Sequence, residues 1–407
     1  MKEVCIINYT SNAAVYGIGT YIKECIYCLA NLDCKINRIE LGTDSVKAEF
    51  YVKEEGKVRT IHLPYHLKGD KDSYYKGIFW LLRFYIEDSE NLVFLLQYGH
   101  DESLLNEIKK HFPQSKTVFT VHYMNWSPAL QGNVTLFEKI IRNKEKEKIK
   151  NRYRQVIENH NVEKTFLEKS DHIVCLTDDT LDIIQKMYDI KENIWLIPNG
   201  LRKNFRNLSV NQKLKLREKF YIGPDEKVLL SVARIDPFKG VDCLLSCFDD
   251  IIKNYPNCRL VIIGDGDTNA VIKKCKKSWS KVIFTGKLDK KTLYRWYQIA
   301  DIALFPSFFE QCSYVGIEML MHGLPVIASD GIGVRNMFHD GINAKIARIE
   351  NWKNKSKFVK NLKEAVLHLL NSSLSELKIR KGAVKSYKTK YSIELMQENY
   401  CKLLNSL

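Results

Sequence analysis

Apolar, β-rich runs alternate with helix-period patterns along the whole chain, and the alternation begins afresh near the middle. Continuous Val/Ile/Leu runs separated by helical patterns belong to parallel sheets that are covered on both faces. In the first half the strand candidates are 4–8, 58–63, 92–97, 117–121, 172–176 and 194–197, with helical patterns at 19–29 and 162–170. In the second half they are 228–232, 259–263, 281–285, 302–305 and 326–328, with helices expected at 241–254, 292–300 and 314–322. A length of 407 residues suits two such α/β units of roughly 200 residues each. The polar stretch 202–218 places the hinge near 199–207, giving domains 1–203 and 204–389. The amphipathic end, 390–407, is expected to cross back and pack on the first domain.

The formal net charge is +15, which favours anionic partners. No zinc-finger spacing, RNA-binding aromatic motif or basic zipper accompanies it, so nucleic acid is not an expected partner. The stretch 133–155 holds Lys139, Arg142, Lys144, Lys146, Lys148, Lys150, Arg152 and Arg154, interleaved with Leu136, Ile140 and Ile149. It reads as a solvent-exposed basic helix, with the segment 139–154 a candidate for peripheral membrane or acceptor contact. No apolar run reaches the roughly 18–20 residues that span a bilayer, and residues 1–8 read as a buried strand rather than a signal peptide. A cytoplasmic location is therefore expected, with the inner membrane face as its peripheral alternative. The 11 cysteines are odd in number and sit in apolar segments, as reduced core thiols do. Cys25 and Cys28 have redox spacing but fall inside a helical pattern, which favours packing over thiolate chemistry.

The richest constellation runs from Pro306 to Pro325. A strand ending at Phe305 leads into a loop carrying Glu310; a helix then starts at Ser313, a good N-cap, and stops at Gly323 before Pro325. That helix tip offers free N–H groups to an anion, with Glu310 and Glu318 placed to accept hydrogen bonds from hydroxyls. Alone, the two acids read equally well as exposed residues at a helix start. A second strand-end loop, 231–240, presents Arg234 and Lys239, which could neutralise charge on a departing diphosphate. A third, Gly264-Asp265-Gly266-Asp267, permits close backbone approach; its D-x-D pattern is read as a turn rather than a metal site. In the first half, Tyr16-Gly17-Ile18-Gly19-Thr20 is a partial phosphate-loop fingerprint with Ile22 in place of the third glycine, and His122 follows a strand's carboxyl end.

In this order, the Gly17/Gly19 loop, His122, Pro198-Asn199-Gly200, Arg234…Lys239-Gly240, Gly264-x-Gly266 and Glu310-x7-Glu318 followed by His322-Gly323-Leu324-Pro325 resemble the GT-B glycosyltransferases, specifically glycosyltransferase family 4. The resemblance implies an α/β fold of two Rossmann-like domains facing each other across a cleft. It also implies a retaining transfer from a UDP- or GDP-sugar to a hydroxyl acceptor, with no metal and no other cofactor. Glycan or lipid-linked acceptors come first, and a peptide acceptor is the alternative. By the same resemblance Arg234 and Lys239 hold the leaving diphosphate, Glu310 contacts the donor sugar, and Glu318 binds the ribose hydroxyls. His122 joins the catalytic set, and backbone N–H groups at Ser313, Tyr314 and Val315 cradle phosphate. Gly17 and Gly19 close over it from the other domain, and Lys287 and Leu288 lie where the base binds. The chain departs from the family at Gln311-Cys312-Ser313-Tyr314, where small glycine-rich residues are usual, and at Gly331-Ile332-Gly333-Val334-Arg335-Asn336, which lacks the usual acid. These departures bear on donor-sugar identity more than on reaction class. A nucleotide-sugar epimerase or phosphorylase of the same architecture, and a non-catalytic nucleotide-sugar-binding subunit, are the rival readings.

Overall fold

A computed structural model describes residues 1–9, 17–42, 49–64, 70–97, 99–275 and 277–407. Its strands are β1 (Glu3–Tyr9), β2 (Lys35–Leu41), β3 (Tyr51–Glu55), β4 (Val58–Leu63), β5 (Leu92–Leu96), β6 (Lys116–Thr120), β7 (His172–Cys175) and β8 (Ile194–Leu196). They continue with β9 (Lys227–Val232), β10 (Cys258–Ile263), β11 (Val282–Phe284), β12 (Ile302–Phe305), β13 (Val326–Ser329) and β14 (Ala344–Ala347).

Two compact units result. The first comprises 1–130, 134–200 and 393–407; the second comprises 131–133 and 201–392. In the first, the sheet order is β3-β4-β2-β1-β5-β6-β7-β8, parallel apart from the β3–β4 pair. In the second it is β11-β10-β9-β12-β13-β14, with every pairing parallel. The second order is the doubly wound 3-2-1-4-5-6 arrangement, whose winding reverses between β9 and β12. Ligands of such sheets bind outside the strands' carboxyl ends at that reversal.

Apolar periodicity explains the second unit's core. Leu229, Leu260, Ile302 and Leu304 on the strands meet Val241, Leu244 and Phe248 of helix Val241–Asn254 and Leu362 and Val366 of helix Ser356–Asn371, all almost fully buried. The polar stretch 202–218 is more ordered than its composition implies. Helix Val210–Lys219 opens on a Ser209/Gln212 capping box, and buried Arg217 donates to the carbonyls of Ile299 and Gly223 at 3.0 and 3.3 Å.

In the first unit, helix Ile393–Ser406 lies against helix Gly17–Ala30: the Tyr400 and Tyr21 hydroxyls are hydrogen-bonded, and both rings are buried. Cys25 and Cys28 are buried and free, and burial pushes the Cys25 thiol up to about 12, so neither behaves as a reactive thiolate.

The stretch 133–155, expected as one exposed helix, is instead broken. Helix Val134–Arg142 buries Phe137 and Ile140, helix Glu147–Arg152 buries nothing, and helix Arg154–Lys169 begins inside it. Successive lysines repel one another where no apolar stripe anchors the backbone, and the helix does not propagate through 143–146.

Candidate functional site

At the winding reversal of the second sheet, three loops are zipped together by backbone bonds. The β9 loop pairs with the glycine loop after β10: Ile235 N–H donates to the Asp265 carbonyl at 2.7 Å, and Ala233 N–H to the Ile263 carbonyl at 3.0 Å. The same β9 loop meets the loop after β12 where Phe308 N–H donates to the Phe238 carbonyl at 2.7 Å. Glycine is required at the contacts. Gly264 and Gly266 have φ of +148° and +128°, and an added Cβ would collide with the carbonyl oxygens of Ala233 and Ile235. On the far side Glu310 N–H donates to the Ile332 carbonyl at 3.0 Å, and Gly333 (φ +71°) packs too closely on the Glu310 carbonyl to admit a methyl group.

This framework fixes the charged side chains. Lys239 Nζ lies 2.6 Å from Glu310 Oε1, an ion pair mostly shielded from solvent. Arg234, half exposed, pairs with Asp236 of its own loop at 3.0 Å. The Ser313 hydroxyl accepts from Gly316 N–H at 3.4 Å and caps helix Tyr314–Met321, so Ser313, Tyr314 and Val315 form its amino end as expected. Glu318 lies in that helix, only 1% exposed. Its Oε1 is paired with Lys290 Nζ, and its Oε2 accepts from the Tyr297 hydroxyl at 3.0 Å. Burial pushes the Glu318 carboxyl up, and Lys290 and Tyr297 pull it back. Lys287 and Leu288 lie on the loop between β11 and helix Lys290–Ile299 that delivers Lys290.

The expected residues thus fall into groups. Arg234, Lys239, Gly264, Gly266, Glu310 and the Ser313–Val315 turn share one loop cluster; Glu318 sits behind it with a separate set of partners. Asp267 is spent as a helix cap, accepting from Ala270 N–H at 3.0 Å. Gly17, Gly19 and His122 belong to the first unit. Gly17 and Gly19 do not form an extended loop; they occupy the first turn of helix Gly17–Ala30, and Tyr16 lies outside the described residues. His122 is held by Gln97 Oε1 at 3.1 Å and by the edge of the Tyr21 ring, and desolvation pushes its imidazole down to about 3.

Sequence reasoning missed Lys290 and Tyr297. The available signal was register: positions 290, 294 and 297 of one helix fall on one face. A surface hollow lined by Asn106, Lys109, Lys116, Lys169 and His172 lies at the amino ends of β6 and β7. Lys109 and Lys169 are already engaged there by Asp171 and Glu102.

Residues 212–383 match the family described as glycosyl transferases group 1. The chain is 32% identical over 200 residues to an alpha-monoglucosyldiacylglycerol synthase of Acholeplasma laidlawii, covering 47% of each. It is 29% identical over 181 residues to the enzyme of that name from Streptococcus pneumoniae, covering 43% of this chain and 41% of the relative. The matches therefore span less than half the length of these curated relatives. Among solved structures, a sucrose-phosphate synthase from Thermosynechococcus elongatus superposes with a TM-score of 0.75 at 16% identity, covering 100% of this chain and 99% of that one. Anabaena HepE in complex with UDP-glucose superposes with a TM-score of 0.69 at 12% identity, covering both chains fully. No helix among the described residues is long and apolar enough to cross a membrane. With two units that match GT-B structures along their whole length, the chain has the GT-B fold, and the part that carries the loop cluster just described is similar to the glycosyl transferases group 1.

Proposed function

We propose that the chain transfers a sugar, with retention of anomeric configuration, from a UDP- or GDP-sugar to a hydroxyl of a glycan or lipid-linked acceptor. The observation that carries this reading is the Lys239–Glu310 pair at the winding reversal, with Arg234 on the same loop. An arriving diphosphate competes for the Lys239 ammonium and releases Glu310 to accept hydrogen bonds from the donor sugar's hydroxyls. Arg234 and Lys239 then stabilise charge as it develops on the leaving phosphate, a task for which no metal is invoked. The leaving phosphate can itself take the acceptor's proton, so the reading requires no enzymic base. UDP-glucose bound to HepE supports UDP as the first nucleotide to test, and the relatives named alpha-monoglucosyldiacylglycerol synthase support a lipid-linked acceptor. The lysines and arginines of segment 139–154, several of them exposed, are the surface we assign to the anionic face of such an acceptor membrane.

The test is a donor screen by thermal shift, followed by turnover on diacylglycerol and glycan acceptors. Lys239→Ala and Glu310→Ala should each lower turnover by about 100-fold or more. Wild-type turnover should persist in EDTA, and the product should keep the donor's anomeric configuration by NMR. Near-wild-type transfer by both variants would overturn the assignment.

A further inference from the structure

A hollow of ≈ 560 Å³ opens on the surface of the first unit, at the amino ends of β6 and β7. It lies at the other end of β6 from His122 and shares no residue with the loop cluster of the second unit. A second hollow of ≈ 400 Å³ continues it towards 189–193, the two sharing Glu168, Ser170, Asp171 and Asn193. Each volume falls within the roughly 300–1,000 Å³ of ligand-binding clefts.

Three lysines line the larger hollow, yet its charge is balanced. Lys109 is paired with Asp171 at 3.1 Å, and Lys169 is paired with Glu102. Both lysines sit in the last turn of their helices, Glu102–His111 and Arg154–Lys169. A positive charge there offsets the partial negative charge of the helix's unpaired carbonyls. Glu168 adds a negative charge to the wall. Asp171 also accepts from the Thr117 N–H and hydroxyl, at 2.9 and 2.6 Å, so it is fixed in place. A phosphate therefore gains little here, although the chain as a whole carries +15. An apolar ligand would strip water from polar groups and give them nothing in return.

What the wall offers is unspent hydrogen bonding of both kinds. The side chains of Lys116, Asn106 and Asn193 make no hydrogen bond or ion pair with the described residues. The ammonium has three donors, and each amide has two donors and an acceptor oxygen. His172 Nδ1 accepts from Trp195 Nε1 at 3.4 Å, which leaves its proton on Nε2 as a further donor. Half-buried Ile190 gives the smaller hollow an apolar patch. A sugar matches this pattern, because its hydroxyls both donate and accept and its C–H face covers a small apolar surface.

We propose that this hollow binds a neutral carbohydrate, with Lys116, Asn106 and Asn193 bonding to its hydroxyls, at a site separate from that of sugar transfer. A glycan held there by one unit raises the local concentration of its other units around the enzyme.

The experiment is calorimetric titration of the full chain with neutral hexaoses of glucose, mannose, galactose and N-acetylglucosamine, and with glucose 6-phosphate. At least one neutral hexaose should bind the wild type. Lys116→Met and Asn106→Ala should each weaken that binding about fivefold or more, and Lys116→Arg should retain it. Lys239→Ala, in the loop cluster, should leave it unchanged, and the two hollow variants should bind UDP as the wild type does. Both altered side chains are at least partly exposed, and circular dichroism checks that the variants fold. Absence of binding by every hexaose, or equal affinity in the wild type and both hollow variants, would overturn the site. Loss of hexaose binding in Lys239→Ala would move the sugar to the loop cluster and overturn it too. Tighter binding of glucose 6-phosphate than of any hexaose, lost in Lys116→Met, would make the hollow an anion site instead.

Discussion

His122 shows how far a single side chain's environment can move its chemistry. Its imidazole bonds to Gln97 and packs against Tyr21, and desolvation pushes it down to about 3. In the unfolded chain the same group takes a proton near 6.5. Between those values the unfolded state binds more protons, so this residue's contribution to stability is present above about pH 6.5 and is lost as pH falls toward 3. His122→Gln should therefore flatten the decline in urea midpoint between pH 7 and pH 4.5, and an unchanged slope would refute the account. His100 and His322, pushed down to about 4 and about 3 by burial, contribute in the same direction, so the decline should be shallower but not abolished. Strand-end loops made Arg234, Lys239 and Glu310 candidates in the sequence, and the helix pattern after β12 made Glu318 one. Their pairing was not readable, because Lys239 and Glu310 are 71 positions apart and Lys290 and Glu318 are 28 apart. Only the fold brings such positions together.

Elements were legible where their burial is one-sided or complete. The expected helix 241–254 and strand 302–305 coincide with the observed elements, because one is a periodic and the other an uninterrupted apolar pattern; strand 58–63 also coincides, with its burial concentrated in Ile61, His62 and Leu63. Strands β2, β3 and β14 were not foreseen. β2 is central yet reads Lys-Ile-Asn-Arg-Ile-Glu-Leu, because its polar groups find partners on neighbouring strands: Asn37 Nδ2 donates to Glu3 at 2.7 Å, and Glu40 meets His62 at 3.3 Å. β3 is a charged edge strand, and β14 has only four residues. The loop elements around Glu310 give the prediction that belongs to this scale. Gly333 and Gly341 have nearly the same φ, +71° and +67°, but a Cβ at 333 collides with the Glu310 carbonyl whereas at 341 it meets nothing within 4 Å. Gly341→Ala should cost only the backbone strain, about 1 kcal/mol. Gly333→Ala should destabilise by about 2 kcal/mol or more and should also lower sugar transfer at temperatures where the variant is fully folded. Equal midpoints and equal rates for the two variants would show that the Glu310 loop does not depend on that close approach.

At the scale of the whole molecule, the restart of alternating patterns announced two sheets, but strand order is a matter of long-range pairing that no local pattern encodes. The same holds for the closing of the first unit. Its chain leaves at Gly200 and returns 193 positions later at Ile393, when the last helix completes a core begun by β1. Ile393, Met396, Tyr400, Leu403 and Leu404 of that helix are buried, Tyr400 bonds to Tyr21, and Gly200 N–H lies 3.1 Å from Met396 Sδ. Burying five such side chains is worth about 10 kcal/mol by area, comparable to the whole stability of a domain. Deleting 393–407 should therefore unfold the first unit while the second, which keeps its own six-stranded sheet and the core formed with helices Val241–Asn254 and Ser356–Asn371, stays folded. Hydrogen exchange read by mass spectrometry separates the two: amides in β1, β5 and β6 should lose protection, and those in β9, β10 and β12 should keep it. Retained protection in β1 would mean that the first sheet holds its core without the helix. Loss in β9 as well would mean that the two units fold as one cooperative body, in which case substitutions far from the Lys239–Glu310 pair could still abolish it through global unfolding.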